Sequence, residues 1–200
     1  MKILKDIRVL DFGRYIAGPY CGALLGDLGA EVIRIERLDG SEDRFIHPLK
    51  EEGGEGAMFM QMNRNKKGMT LNPTKKGSSS IVEKLIKSAD VVIANLPPRT
   101  LKRMGIDYET ISKYNPGIIL TTVSAFGVGG PYSERVGFDG VGQAMSGAAY
   151  LTGDETEPVK AYSPYIDYGT ASLTAMGTLA AIIERLSLIH ISEPTRRTTI

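Results

Sequence analysis

The sequence predicts a doubly wound α/β fold around a parallel sheet, and three observations carry that prediction. Runs rich in strand formers recur at Ile7–Phe12 (IRVLDF), Glu31–Glu36 (EVIRIE), Asp90–Leu96 (DVVIANL) and Gly117–Val123 (GIILTTV). Helix-patterned segments stand between them. The first strand, helix and strand fall within about 30 residues, the size of a βαβ unit, whose strands are parallel. Continued alternation of this kind calls for one sheet covered by helices.

Each element has a local reason. In AGPYCGALLGDLGA, Pro19 suits a first helical turn and Gly29 suits the C-terminal cap. Ser80–Ala89 (SIVEKLIKSA), Tyr108–Tyr114 (YETISKY) and Gly140–Leu151 (GVGQAMSGAAYL) predict further helices, and Thr170–Arg185 predicts a buried one. The charged stretch Leu38–Gly56 is expected to be a mobile surface loop. There is no internal repeat, and low complexity is confined to Ser78–Ser80.

Composition narrows the function. With 24 basic against 23 acidic residues and 42% hydrophobic content, the chain can build a core but carries no field for nucleic acid or an anionic membrane. The single cysteine, Cys21, excludes an internal disulfide framework and is expected to be a buried, inert thiol. The start MKILKDIRVLDF lacks the apolar region and cleavage site of a signal peptide. No apolar run is expected to reach the about 18 residues that span a bilayer. A cytoplasmic protein is expected.

The end of the chain reads differently. After Arg185 the helical pattern stops and a proline follows. Leu186–Arg196 (LSLIHISEPTR) is the in-frame translation of a transposon adapter used in sequencing libraries. Residues 1–185 are therefore expected to be the native N-terminal part of one large domain, and 186–200 a non-native tail. His190 then carries no functional weight, and His47 lies in a charged loop where solvation is expected.

In open α/β sheets ligands bind beyond the carboxyl ends of the strands, where strand order reverses. The first such loop, GRYIAGP (Gly13–Pro19), matches neither a dinucleotide fingerprint nor a P-loop, although a helix N-terminus there can still hold phosphate. Glu36-Arg37 ends the second strand: the acid would suit a ribose, the arginine a phosphate, and a solvated pair is an equal reading. Asn95, Leu96 and Pro97 come to the same edge, followed by Arg99, Lys102 and Arg103, which face either a polyphosphate or water. FGVGGPYSERVGFDGVGQ offers close backbone approach to a ligand and Asp139 before a helix, or simply a turn and a cap. Asp167 precedes a long apolar helix, as a cap would. Metal-ligand spacing and a G-x-S-x-G nucleophile elbow are both missing, so metal hydrolysis and Ser-His catalysis are not expected.

Taken in order, VLDFGRYIAGPYCGALLGDLGAEVIRIER, NRNKKGMTLN, ADVVIANLPPRTLKRMGIDYETISKYNPGIIL, GPYSERVGFD and YIDYGTAS resemble the family III CoA-transferases, the CaiB/BaiF group that includes formyl-CoA transferase. The resemblance covers Ile7–Arg185. It implies the truncated Rossmann-like large domain of an enzyme that moves CoA from an acyl-CoA to a carboxylic acid. It further implies that no cofactor is permanently bound, that coenzyme A and acyl-CoA are substrates, and that the full-length protein is an interlocked homodimer. Asp167 matches the catalytic aspartate, which passes through an acyl anhydride and an aspartyl-CoA thioester. The helix dipole is expected to keep it ionised. Ile16, Ala17, Arg37, Leu71, Asn72, Pro73, Thr74, Asn95, Leu96, Pro97, Arg103, Arg135, Val136, Gly137 and Phe138 match CoA-contacting positions, with Asp139 a further acid near the site. Formyl-CoA transferase has glutamine where this chain has Ile16, which argues against small dicarboxylates such as oxalate. The family's α-methylacyl-CoA racemases have a histidine base where this chain has Phe138, which favours transfer over racemisation. An acyl-CoA racemase or isomerase, or a nucleotide-binding oxidoreductase on a similar sheet, are the competing readings.

Overall fold

The computed structural model describes residues 2–49, 54–154 and 156–192. Residues 193–200 of the expected tail lie outside the described residues. Five strands, β1 (Arg8–Asp11), β2 (Glu31–Glu36), β3 (Lys66–Thr70), β4 (Val91–Ala94) and β5 (Ile119–Thr122), form one sheet. Its order is β3-β2-β1-β4-β5 and every pairing is parallel. The order reverses between β1 and β4, so their carboxyl ends open the crevice where α/β sheets take ligands.

Alternation along the strands explains why both faces are covered. Val9, Val32, Val91 and Ile93 point to one face. There they meet Cys21 and Leu25 of α1 (Ala17–Asp27) and Ala171, Ala175 and Ile182 of a long C-terminal helix. Leu10, Ile35, Val92 and Ala94 point to the other face. They meet Val82 and Ile86 of α3 (Ser79–Lys87), Leu101 of α4 (Pro98–Met104) and Ile111 of α5 (Tyr108–Tyr114). The helix α2 (Ala57–Met62) packs Phe59 and Met62 inward beside these layers.

Several expectations are corrected. The strand β3 was not foreseen: KKGMT has little apolar character and lies at one of the sheet's two edges, where lysines are common. The predicted helix 140–151 is two helices, α6 (Asp139–Met145) and α7 (Ala148–Thr152). Gly147 breaks them at φ 78°, a left-handed conformation that favours glycine. The loop after β2 is not a free surface segment where it is described. Glu42–Phe45 forms a 3-10 turn whose Asp43 is buried against Arg34, and the guanidinium groups of Arg34 and Arg44 both lie over the Phe59 ring.

The long helix α8 (Tyr165–Ser192) begins before Thr170 and continues past Arg185. It is only partly buried. Ala171, Ala175, Thr178 and Ile182 face the protein, whereas Leu173, Met176 and Ile183 are exposed. Its segment Tyr165–Ser187 is, by length and composition, long and apolar enough to cross a membrane, contrary to expectation. In the structure that segment packs along α1 and β5. Cys21 is fully buried as expected, and burial, with Asp11 nearby, pushes its thiol up to about 12.

Candidate active site

The first loop is held from both sides. The side chain of Asn95, just beyond β4, accepts from the Arg14 backbone N–H and donates to the Arg14 carbonyl, both at 2.7 Å. Across the loop, Asp43 accepts from the Tyr15 N–H at 3.0 Å while paired with Arg34 at 3.0 Å. These contacts hold Tyr15 at φ 61°, unusual for a residue with a side chain. Its ring meets Phe138 edge-on, with centroids 5.4 Å apart. The Arg14 guanidinium donates to the carbonyls of Phe12, Gly13 and Ile35.

Beneath the loop a buried ion pair ties β1 to the edge strand. The Lys66 ammonium lies 2.7 Å from Asp11 and also donates to Pro19 O and Asn63 Oδ1. Burial opposes the charge on Asp11, but Lys66 and Arg34 outweigh it and hold that carboxyl below the usual range.

Between the first loop, the ends of β4 and β5, α6 and α8 lies a cavity of about 290 Å³. It brings together Ala17, Asn95, Leu96 and Pro97 with Arg135, Val136, Gly137, Phe138 and Asp167. The sequence reading did not single out Arg14, Tyr15, Ser124, Gly142 or Thr170, which also line it. Arg14 and Tyr15 had a usable signal, since they sit in the loop at the switch point. Ser124 and Thr170 had none before the topology was known.

Asp167 lies in the first turn of α8. It is not the cap. The first-turn N–H groups of Ile166 and Asp167 are instead accepted by Asp139, at 2.9 and 3.3 Å. Burial, and then the charge of Asp139, push the Asp167 carboxyl up to about 6. That reverses the direction expected from the helix dipole alone, although the group remains mostly ionised at neutral pH.

The other predicted positions lie elsewhere. Ile16 is buried under the loop rather than on the cavity wall. Leu71 and Asn72 line a second, shallower depression with Lys75 and Lys76. Beside them Asn72 accepts from both the N–H and the hydroxyl of Thr74, closing the turn through Pro73. Arg37 is exposed and pairs with Asp39 and Glu42. Arg103 is exposed on α4. Glu36 is buried and bound by Arg44 and the Ser41 N–H, so it is neither a solvated partner of Arg37 nor free for a ribose. His47 is exposed. Among the described residues no cluster of three His, Cys, Asp or Glu could hold a metal.

A five-stranded parallel sheet with a carboxylate at its switch-point cavity defines a class, and comparison supplies the family. The chain matches CoA-transferase family III over residues 4–187, and it belongs to that family. It is similar to succinyl-CoA–D-citramalate CoA-transferase of Chloroflexus aurantiacus (37% identical over 91% of this chain and 46% of that protein). It is also similar to succinyl-CoA:glutarate CoA-transferase of Mus musculus (36%, over 92% and 43%). Among solved structures, a CaiB/BaiF family protein from Brucella suis superposes with a TM-score of 0.86 at 34% identity, covering 92% of this chain and 50% of that one. A hypothetical protein from Mycobacterium tuberculosis gives 0.85 at 31%, covering 94% and 52%. The chain spans about half the length of the relatives it matches.

Proposed function

We propose that this chain is the N-terminal part of a cytoplasmic CoA-transferase that moves CoA between carboxylic acids, with Asp167 as nucleophile. The observation that carries the reading is the placement of Asp167 on the wall of the switch-point cavity, which Asn95–Pro97 and Arg135–Phe138 also line.

The chemistry needs one carboxylate and no proton transfer. An Asp167 oxygen attacks the thioester carbonyl carbon; the C–S bond breaks, giving a mixed anhydride and CoA thiolate. The thiolate then attacks the Asp167 carbonyl carbon, expelling the first acid as its carboxylate and leaving an aspartyl-CoA thioester. The acceptor carboxylate attacks that thioester, forming a second anhydride and releasing the thiolate. Thiolate attack on the acceptor's acyl carbon yields the new acyl-CoA and restores Asp167. Each step exchanges one anion for another, so thioester energy is conserved without hydrolysis.

A racemase would need a base on each side of the α-carbon. Phe138 supplies none, its ring being packed on Tyr15. An NAD site would want an acid at the end of β2, and Glu36 is already bound there. For the donor we favour a succinyl-type thioester, on the names of the relatives. The burial of Ile16 removes it from the cavity wall and with it the argument against a dicarboxylate. CoA would run from the cavity toward the Leu71–Thr74 turn, Arg37 and Arg103. The complete enzyme would be an interlocked homodimer, and residues 186–200 a non-native tail.

The test is Asp167→Asn in the full-length protein. Transfer from succinyl-CoA to glutarate should fall below detection with the fold intact, because an amide cannot form the anhydride. Near-native turnover would overturn the reading.

A further inference from the structure

Asp139 is an acid that these steps do not consume, yet it is buried with both oxygens occupied. One oxygen accepts from the Ile166 and Asp167 N–H groups. The other accepts from Nε2 of Gln143, one turn along α6. Gln143, itself buried, uses Oε1 to accept from the Ala161 N–H at 2.8 Å. One i,i+4 pair therefore grips the chain twice, before α8 and in its first turn. First-turn amides have no intrahelical partner, which is why an outside carboxylate can take them. Close approach makes this geometry possible, since a Cβ at Gly142 would come within 2.8 Å of the Ile166 side chain.

We propose that Asp139 is a positioning residue: through Gln143 and the two α8 amides it fixes the first turn of α8 so that the Asp167 carboxylate faces the cavity. This rests on the reading of Asp167 as nucleophile. A plain helix cap does not require an acid lodged beside a reactive acid. The placement has a chemical use, because a like charge beside Asp167 makes its carboxylate more basic and so more nucleophilic. Asp139 of α6 and Tyr168 of α8 interact with Asp167 directly; Arg14 and Tyr15 of the first loop and Arg135 before α6 line the same cavity, Tyr20 of α1 packs edge-on against Tyr168, and Lys160 lies against Gly140. Of these, Asp139 carries the like charge.

The test compares Asp139→Asn with the double variant Asp139→Asn/Gln143→Glu in the full-length protein. In the single variant the new amide nitrogen meets Gln143 Nε2, donor against donor. In the double variant the carboxylate at 143 accepts from both position 139 and the Ala161 N–H, so the hydrogen-bond pattern is restored with the charge one turn further away. For Asp139→Asn we expect kcat to fall about 10- to 100-fold, the scale of a small misplacement of a reacting group, with KM for acyl-CoA unchanged. The acid limb of the pH–rate profile should also move to lower pH. The double variant should recover most of kcat with the limb still displaced. Native kcat and an unmoved limb in folded Asp139→Asn would overturn the proposal, as would a double variant that regains its melting temperature without its kcat. Should the single variant not fold, the double variant decides by the same criteria. Failure of the nucleophile reading is seen separately, as no hydroxamate on Asp167 when the unaltered enzyme turns over acyl-CoA in the presence of hydroxylamine.

Discussion

Asp167, the proposed nucleophile, is held where its charge costs stability. Its folded pKa of about 6 lies above the ordinary 3.8, because burial and Asp139 disfavour the charge. Folding therefore favours the protonated form: the penalty is absent below about pH 4 and grows as pH rises through about 6. Asp167→Asn removes that penalty, so it should gain stability relative to the native protein between pH 4 and pH 8. Partial exposure keeps the gain on the order of 1 kcal/mol. Urea unfolding at the two pH values measures it, and a variant losing ground as pH rises would contradict the account. If Asp167 is the nucleophile it must be ionised, and the same pKa then places the acid limb of kcat/KM near pH 6. Arg37 and Arg103 are exposed and outside the cavity, so replacing either with Ala should leave stability within about 1 kcal/mol. If they meet CoA phosphates, a lost charge-assisted contact of about 1.5–3 kcal/mol should weaken CoA binding about tenfold or more by calorimetry.

At the scale of elements, the Asp11–Lys66 pair joins β1 to the edge of the sheet with both side chains buried. Lys66→Met leaves Asp11 charged and unpaired, and breaking such a pair by removing one partner costs about 3–5 kcal/mol. Urea unfolding should show that loss, and a cost below about 1 kcal/mol would mean that Asp11 is solvated after all. The same pair shows where reading the sequence stops. Strands β1, β2 and β4 were legible because each is an apolar run buried in a parallel sheet, and β5, at the other edge and only partly buried, because Ile119 and Leu120 keep its run apolar. β3 was not, because its chemistry is that of an edge whose one buried lysine finds its partner two strands away. The sequence places Asp167 in front of the helix as its cap, whereas the structure puts it inside the first turn of α8. The cap comes instead from Asp139, which is 28 residues earlier in the chain and reaches α8 only in three dimensions. Asp43 was likewise hidden inside a loop that reads as solvent-facing, although it holds Tyr15 in place.

At the scale of the whole molecule, the sheet opens a cavity at its switch point, while α8 presents Leu173, Met176 and Ile183 to solvent. An apolar face of this kind is a surface for association. The 200-residue chain alone is accordingly expected to self-associate in size-exclusion chromatography and to show no transfer, and a monodisperse, active chain would refute that. The family was legible because its motifs fall on the loops that build the cavity. The acyl acceptor was not, because none of these motifs carries chemistry specific to one acid. The most direct measurement is mass spectrometry of the full-length enzyme incubated with succinyl-CoA and hydroxylamine. The account predicts a hydroxamate on the peptide carrying Asp167, absent in Asp167→Asn. A label on another carboxylate, such as Asp139, or no label during active turnover, would contradict it.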